Sequence, residues 1–275
     1  MASFDFVDAA AKSYELLWRE RSYLVRVAAP VVFVKMACML AIHVLYIEDQ
    51  FLLSGLIKLP GFILEAILAV GLIRYVLYKE PIFIAGRSIT APETRTPSAR
   101  YAGPMSPTQC VQAGFAMYLL IILCQTAFAG WFNDYAAMLQ AQDMKPVPIE
   151  PTIWHAMIGL SLLWVGVWMF RLGWLYIPVA MGYSFTAFLR RIKGLSVSFY
   201  IFATWFICTL PILILYAGVV NILGLAIPEG VGIDIVLNTA VAAAAEITMV
   251  ALQVVAMTYG ITEILSSDDQ KKSEQ

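Results

Sequence analysis

Charge is what this chain has little of. Only 13% of its 275 residues are Asp, Glu, Lys or Arg, and 61% are hydrophobic, with a mean hydropathy of +0.78. Ordinary soluble domains carry roughly 25% charged residues, so a soluble fold of this length could not cover its surface. A net charge of −1 leaves no basic footprint for nucleic acid, and none is expected as a partner. Histidine is nearly absent: His43 and His155 are the two, and neither belongs to an H-E-x-x-H pattern. The four cysteines (Cys38, Cys110, Cys124 and Cys208) have no metal-type or disulfide spacing and read as small apolar packers. The N-terminus starts acidic and has no apolar h-region, so a cleaved signal peptide is not expected. No phosphate-binding loop or dinucleotide fingerprint is present, and no paired-acid signature of an intramembrane protease. The segment GYSFT at 182–186 lacks the second glycine of a nucleophile elbow. No catalytic residue, metal or cofactor is therefore expected, and the chain reads as a non-enzyme.

What charge there is falls in a pattern. Fourteen of the 18 Lys and Arg residues lie in 12–26, 74–100, 190–193 and 271–272. Only Lys145 sits in the alternate connections, where Glu48, Asp49, Asp134, Asp143, Glu150, Glu229 and Asp234 collect. Cytoplasmic loops of bilayer proteins hold the Lys/Arg excess, so both termini are expected inside. A spanning helix needs about 20 apolar residues. Six segments qualify, at about 24–47, 51–78, 108–132, 152–172, 195–226 and 234–265. Trp131, Tyr135 and Trp154 mark the outer boundary, and Tyr75, Tyr78, Trp174 and Tyr176 the inner one. The expected fold class is all-α: a polytopic membrane protein of six transmembrane helices occupying 23–268.

Two stretches do not span. Residues 1–22 hold an amphipathic helix, with Phe4, Val7, Ala11, Tyr14, Leu17 and Trp18 on one side. Asp8→Lys12 and Glu15→Arg19 are placed for i,i+4 pairing on the other. Such a helix either lies flat on the inner leaflet or packs against the protein's own loops. The segment 173–189 is surplus once 152–172 has crossed, and Pro178 and Gly182 interrupt it, so an interfacial or re-entrant helix is expected. Residues 79–107 hold five prolines and read as an extended, mobile cytoplasmic loop, and 269–275 as a cytoplasmic tail.

Ionisable groups at membrane depth are the functional candidates, because burying them in hydrocarbon is unfavourable. Lys35 lies nine residues after Arg26, and Glu65 nine residues before Arg74. Equal depth and opposite sign on adjacent antiparallel helices make Lys35–Glu65 an expected ion pair, either a structural clamp or part of a relay. Glu246 lies near the midplane of the last span, with no charge partner on its own helix within one turn. Arg26, Arg74, Arg171, Arg190 and Arg191 are expected interfacial anchors, and Lys58 and Arg171 are expected to snorkel. Gln125, Asn221, Asn238, Thr239, Thr248 and Gln253 read as interhelical packing groups.

Two stretches carry a resemblance. One is FDFVDAAAKSYELLWRERSYLVRVAAP, a surface helix running into a span. The other is FRLGWLYIPVAMGYSFTAFLRRIKGLSVSFYIFATWFICTLPILIL, in which an Arg ends one span and a proline-bearing stretch and basic turn precede the next. Together they resemble YciC-type bacterial inner-membrane proteins and the membrane domain fused to some glycerophosphodiester phosphodiesterases. The resemblance implies six spans in a bacterial inner membrane. It carries over no activity, since the phosphodiesterase chemistry of that family belongs to a soluble domain not contained in this sequence. The long proline-rich loop departs from the pattern. Two functions remain open. One is an accessory, assembly or envelope-maintenance role through contacts with membrane lipids and with another membrane protein or a second copy of the chain. The other is a small transporter or lipid-translocating carrier using Lys35, Glu65 and Glu246.

Overall fold

Asp5 opens the first helix by capping it: its carboxylate accepts the backbone N–H groups of Val7 (2.9 Å) and Asp8 (3.1 Å). A computed structural model describes residues 4–47, 50–84, 87–88, 106–141, 157, 160–161, 170–183, 185–192, 194–227 and 232–273. Helix α1 (Phe6–Arg19) ends at Glu20, where a single non-helical residue separates it from α2 (Arg21–Val44). Helix α3 (Phe51–Tyr78) follows, and then a two-residue antiparallel pairing of β1 (Phe83–Ile84) with β2 (Arg87–Ser88). Helix α4 is Pro107–Ala141. A 3-10 turn at Arg171–Trp174 leads into α5 (Tyr176–Ala180), α6 (Phe185–Arg191), α7 (Leu195–Ala226) and α8 (Ile233–Ser273).

Among the described residues five helices are long and apolar enough to cross a bilayer: Arg21–Val44, Leu52–Tyr78, Thr108–Phe128, Ser196–Ala226 and Ile233–Leu265. The chain is thus a helical protein of membrane character. The expected span 152–172 falls almost wholly outside the described residues. Two helices overrun their expected ends. Helix α4 continues to Ala141 because no proline or glycine after Gly130 stops it, and α8 runs through Ser273 into the expected tail.

Helix α8 is the hub, packed by α1, α2, α3, α5, α6 and α7. The buried core draws on Tyr23–Val31 of α2, Ala66–Leu77 of α3, Val197 and Ile201 of α7 and Val254–Leu265 of α8. These are the N-terminal halves of α2 and α7 and the C-terminal halves of α3 and α8, so one end of the bundle is closely packed. At the other end Val44, Leu52, Leu56, Leu215, Leu225 and Ile233 are exposed.

Helix α1 lies against α7 and α8, with Ala9, Ala10, Ser13 and Leu16 buried. That stripe is rotated from the expected one, for Val7, Ala11 and Trp18 are exposed. Small residues let the helix axes approach, so the docked side is the small side. Two features of the partner helices hold α1 in place. The Phe4 ring covers Gly260, where any Cβ would stand 2.5 Å from its Cε2. Pro211, inside α7, has no N–H for the carbonyl of Ile207 four residues earlier. The Tyr14 hydroxyl donates to that carbonyl and to that of Cys208, both at 3.3 Å. Burial there pushes the Tyr14 hydroxyl above its usual pKa, so it remains a donor.

The loop after α3 is not extended from its first residue. Lys79 takes a left-handed conformation (φ 56°), Glu80 turns back to Arg74, and Ile82 is fully buried. The backbone N–H of Ile82 donates to the Tyr23 hydroxyl (3.0 Å), and its side chain fills the space left by Gly71. Apolar burial thus pins residues 79–82, while 89–105 lie outside the described residues. The surplus segment breaks where Gly182 adopts φ 91°. Its short helix α5 is buried at all five residues, and Gly114 of α4 admits the Ala180 backbone.

Candidate functional site

Three ionisable residues that the sequence scatters over 212 positions meet at one point. Lys35 of α2 forms ion pairs with Glu65 of α3 and, at 2.6 Å, with Glu246 of α8. The second oxygen of Glu65 accepts the Tyr118 hydroxyl from α4 at 2.5 Å. Four helices are thereby tied through one polar knot. Lys35 and Glu65 are almost sealed, at 4% and 2% side-chain exposure, whereas Glu246 is 37% exposed.

Local sequence makes the knot possible. Gly61 precedes Glu65 by one turn on α3, and a Cβ there would sit 3.1 Å from Lys35 Cγ. The missing side chain gives the lysine stem a path across α3 to the carboxylate. Tyr118 is oriented by an edge-on contact with Tyr176 of α5, with ring centroids 4.7 Å apart. Below the knot, Gln253 of α8 donates to the Thr209 hydroxyl of α7 at 2.8 Å.

Beside the knot is a cavity of about 570 Å³ whose wall includes Lys35, Glu65, Glu246 and Lys58. That volume is in the usual range of small-molecule sites, about 300–1,000 Å³. The rest of the wall mixes aromatic side chains (Phe62, Tyr118, Phe170, Trp174, Tyr176 and Trp205) with aliphatic ones such as Ile121, Ile122 and Val250. Gln125, Thr126 and Gln253 add hydrogen-bonding groups, and Cys38 adds a thiol. The site can hold an opposite charge or a polar group against fixed partners. Among the described residues no group of three His, Cys, Asp or Glu is placed to hold a metal ion.

The expected anchors have different surroundings. Arg26 is exposed, with Nε donating to the Ser22 carbonyl (3.0 Å), and Arg190 is exposed as well. Arg74 is buried and bound by both oxygens of Glu80, at 2.6 and 2.5 Å. Arg171 corrects the snorkelling expectation. It is 5% exposed, and its Nη1 donates to the Ile192 carbonyl (2.6 Å), holding the 3-10 turn against the end of α6. Lys58 is partly buried and lines the cavity. The Arg191 side chain and His155 lie outside the described residues.

Sequence reasoning left Glu246 without a partner and overlooked Tyr118. Its one available signal was a phenol deep in an apolar helix, where a buried hydroxyl needs an acceptor. The chain matches no protein-family model, no curated protein and no solved structure.

Proposed function

We propose that this chain is a non-enzymatic, multi-pass membrane protein that binds a small ligand or lipid headgroup in the cavity beside Lys35, Glu65 and Glu246, as a small carrier does. One observation carries the reading: three charges from three helices converge on the wall of a cavity, with Glu246 open to it. A purely structural clamp has no use for a second, half-exposed carboxylate on a lysine already paired.

The reading includes six spans with both termini cytoplasmic in a bacterial inner membrane, in a layout resembling the YciC type. Support for the sixth span comes from direction. Helices α4 and α7 both start at the closely packed end, where Gly114 meets Ala180 and Arg171 meets Ile192. Under this reading the span expected at 152–172 is the return crossing of a chain that leaves that end along α4 and is back by Arg171. Cysteines placed at Arg95 and Asp143 are then labelled from opposite faces of the membrane; labelling from one face overturns the topology.

Cys38 supplies the test of binding. In a chain with C110A, C124A and C208A, a small charged methanethiosulfonate reagent is expected to modify Cys38 in the folded, nanodisc-embedded protein. An inert Cys38 means that the cavity is closed to water, and the binding reading fails. The second reading, an accessory or assembly factor acting through lipid and protein contacts, is favoured by the exposed Val7, Ala11 and Trp18 on the docked helix α1.

A further inference from the structure

The charges around the cavity are sorted into two ends. The knot of Lys35, Glu65 and Glu246 has a formal charge of −1, since one ammonium faces two carboxylates. Within it the lysine is paired with both acids, and both oxygens of Glu65 are taken, by Lys35 and Tyr118. Glu246 is the member with exposed surface left to offer. Lys58 is the opposite end. It lines the same cavity, and among the described residues it makes no ion pair or hydrogen bond. Lys58 and Glu65 are seven residues apart on α3, so the two ends are separated by about 10 Å of helical rise.

We infer that the cavity is built for a zwitterion, a ligand whose ammonium group meets Glu246 and whose acidic group meets Lys58. This rests on the binding reading above and supplies its ligand class. A simple cation is repelled by Lys58 and a simple anion by the −1 knot. A neutral apolar ligand strips water from both ends and replaces it with nothing, which is unfavourable for any buried charge. A zwitterion aligned against the site neutralises both ends at once, through charge-assisted hydrogen bonds. The aromatic wall fits the same ligand, since Trp and Tyr faces attract an ammonium group and also accept an apolar body. Ammonium plus phosphate or carboxylate is the shared chemistry. It has two sources: the headgroup of an aminophospholipid, with its acyl chains left in the bilayer, or a free amino acid or aminoalkyl phosphate.

Cys38, on the same wall, reports occupancy. The Cys38-only protein is placed in nanodiscs of phosphatidylglycerol alone, of phosphatidylglycerol with phosphatidylethanolamine, or of phosphatidylglycerol with soluble glycerophosphoethanolamine added. Modification of Cys38 is expected to slow when the ethanolamine headgroup is present. Slowing by phosphatidylethanolamine alone identifies a lipid ligand, and slowing by the soluble headgroup too identifies the free zwitterion as sufficient. Glu246→Gln and Lys58→Met are each expected to weaken the protective ligand by about tenfold, the loss of roughly 1.4 kcal/mol from one charge-assisted contact. Folding of each variant is checked by its unfolding temperature, since neither residue lies in the sealed core. If Cys38 reacts at one rate in all three settings, or if both variants are protected as well as the parent, the zwitterion inference is overturned while the binding reading stands. A Cys38 that never reacts overturns both.

Discussion

Lys35→Met is the most informative single change. It removes the one cation that serves both Glu65 and Glu246, which are 2% and 37% exposed. The sealed Glu65 keeps only its bond from Tyr118 and becomes an uncompensated buried charge. Breaking a buried pair from one side costs about 3–5 kcal/mol. For a chain of this size that lowers the unfolding temperature by about 6–20 °C, at roughly 2–4 °C per kcal/mol. Glu65→Gln is milder. It leaves the Lys35–Glu246 pair, and the amide oxygen can still accept from Tyr118, so the loss is that of one charged hydrogen bond, about 1.5–3 kcal/mol. Neutralising all three together, Lys35→Met with Glu65→Gln and Glu246→Gln, leaves no stranded charge. It is expected to return to within about 2 kcal/mol of the parent, because replacing a buried ion pair outright is often close to neutral. Removing only Lys35 and Glu65 does not achieve this, since Glu246 remains alone. Thermal unfolding of the detergent-purified variants, followed by circular dichroism, gives the order. A Lys35→Met protein no less stable than Glu65→Gln, or a triple variant as damaged as Lys35→Met, refutes the three-residue knot.

Three smaller changes probe how the knot and the docked helix are held. Gly61→Val puts a branched side chain where Cβ alone would be 3.1 Å from Lys35 Cγ, and is expected to cost about 1–3 kcal/mol by overpacking, while Gly61→Ala costs less. Equal unfolding temperatures for the two would mean that the lysine stem does not cross there. Tyr14→Phe withdraws the donor from the carbonyl left open by Pro211 and is expected to destabilise by about 1 kcal/mol, with faster amide exchange in α1 and around residue 207. The further change Pro211→Ala restores the intrahelical donor and should shrink the Tyr14→Phe effect; an undiminished effect removes the explanation. Gly260→Leu displaces the Phe4 ring and should expose α1 to limited proteolysis without loosening the Lys35 knot.

Composition and periodicity were enough to read the helical membrane character, because a chain with so little charge must satisfy its backbone within helices when lipid is the solvent. Boundaries set by charge or breakers were also legible. Helix α3 occupies Phe51–Tyr78 and α7 Leu195–Ala226, over the apolar segments 51–78 and 195–226. The interruption of 173–189 at Gly182 could be read for the same reason. The overrun of α4 to Ala141 could not, since a polar helix and a polar loop look alike where nothing breaks the backbone.

Depth along a helix is a one-dimensional quantity, and residue counting supplies it: Lys35 and Glu65 stand nine residues from the arginines taken as their inner markers. Which helices are neighbours, and which face each turns inward, is set by packing among all of them, and no local spacing encodes it. Tertiary structure alone therefore brought Glu246 and Tyr118 to the Lys35–Glu65 pair, turned Arg171 toward the Ile192 carbonyl and set Lys58 on the cavity wall.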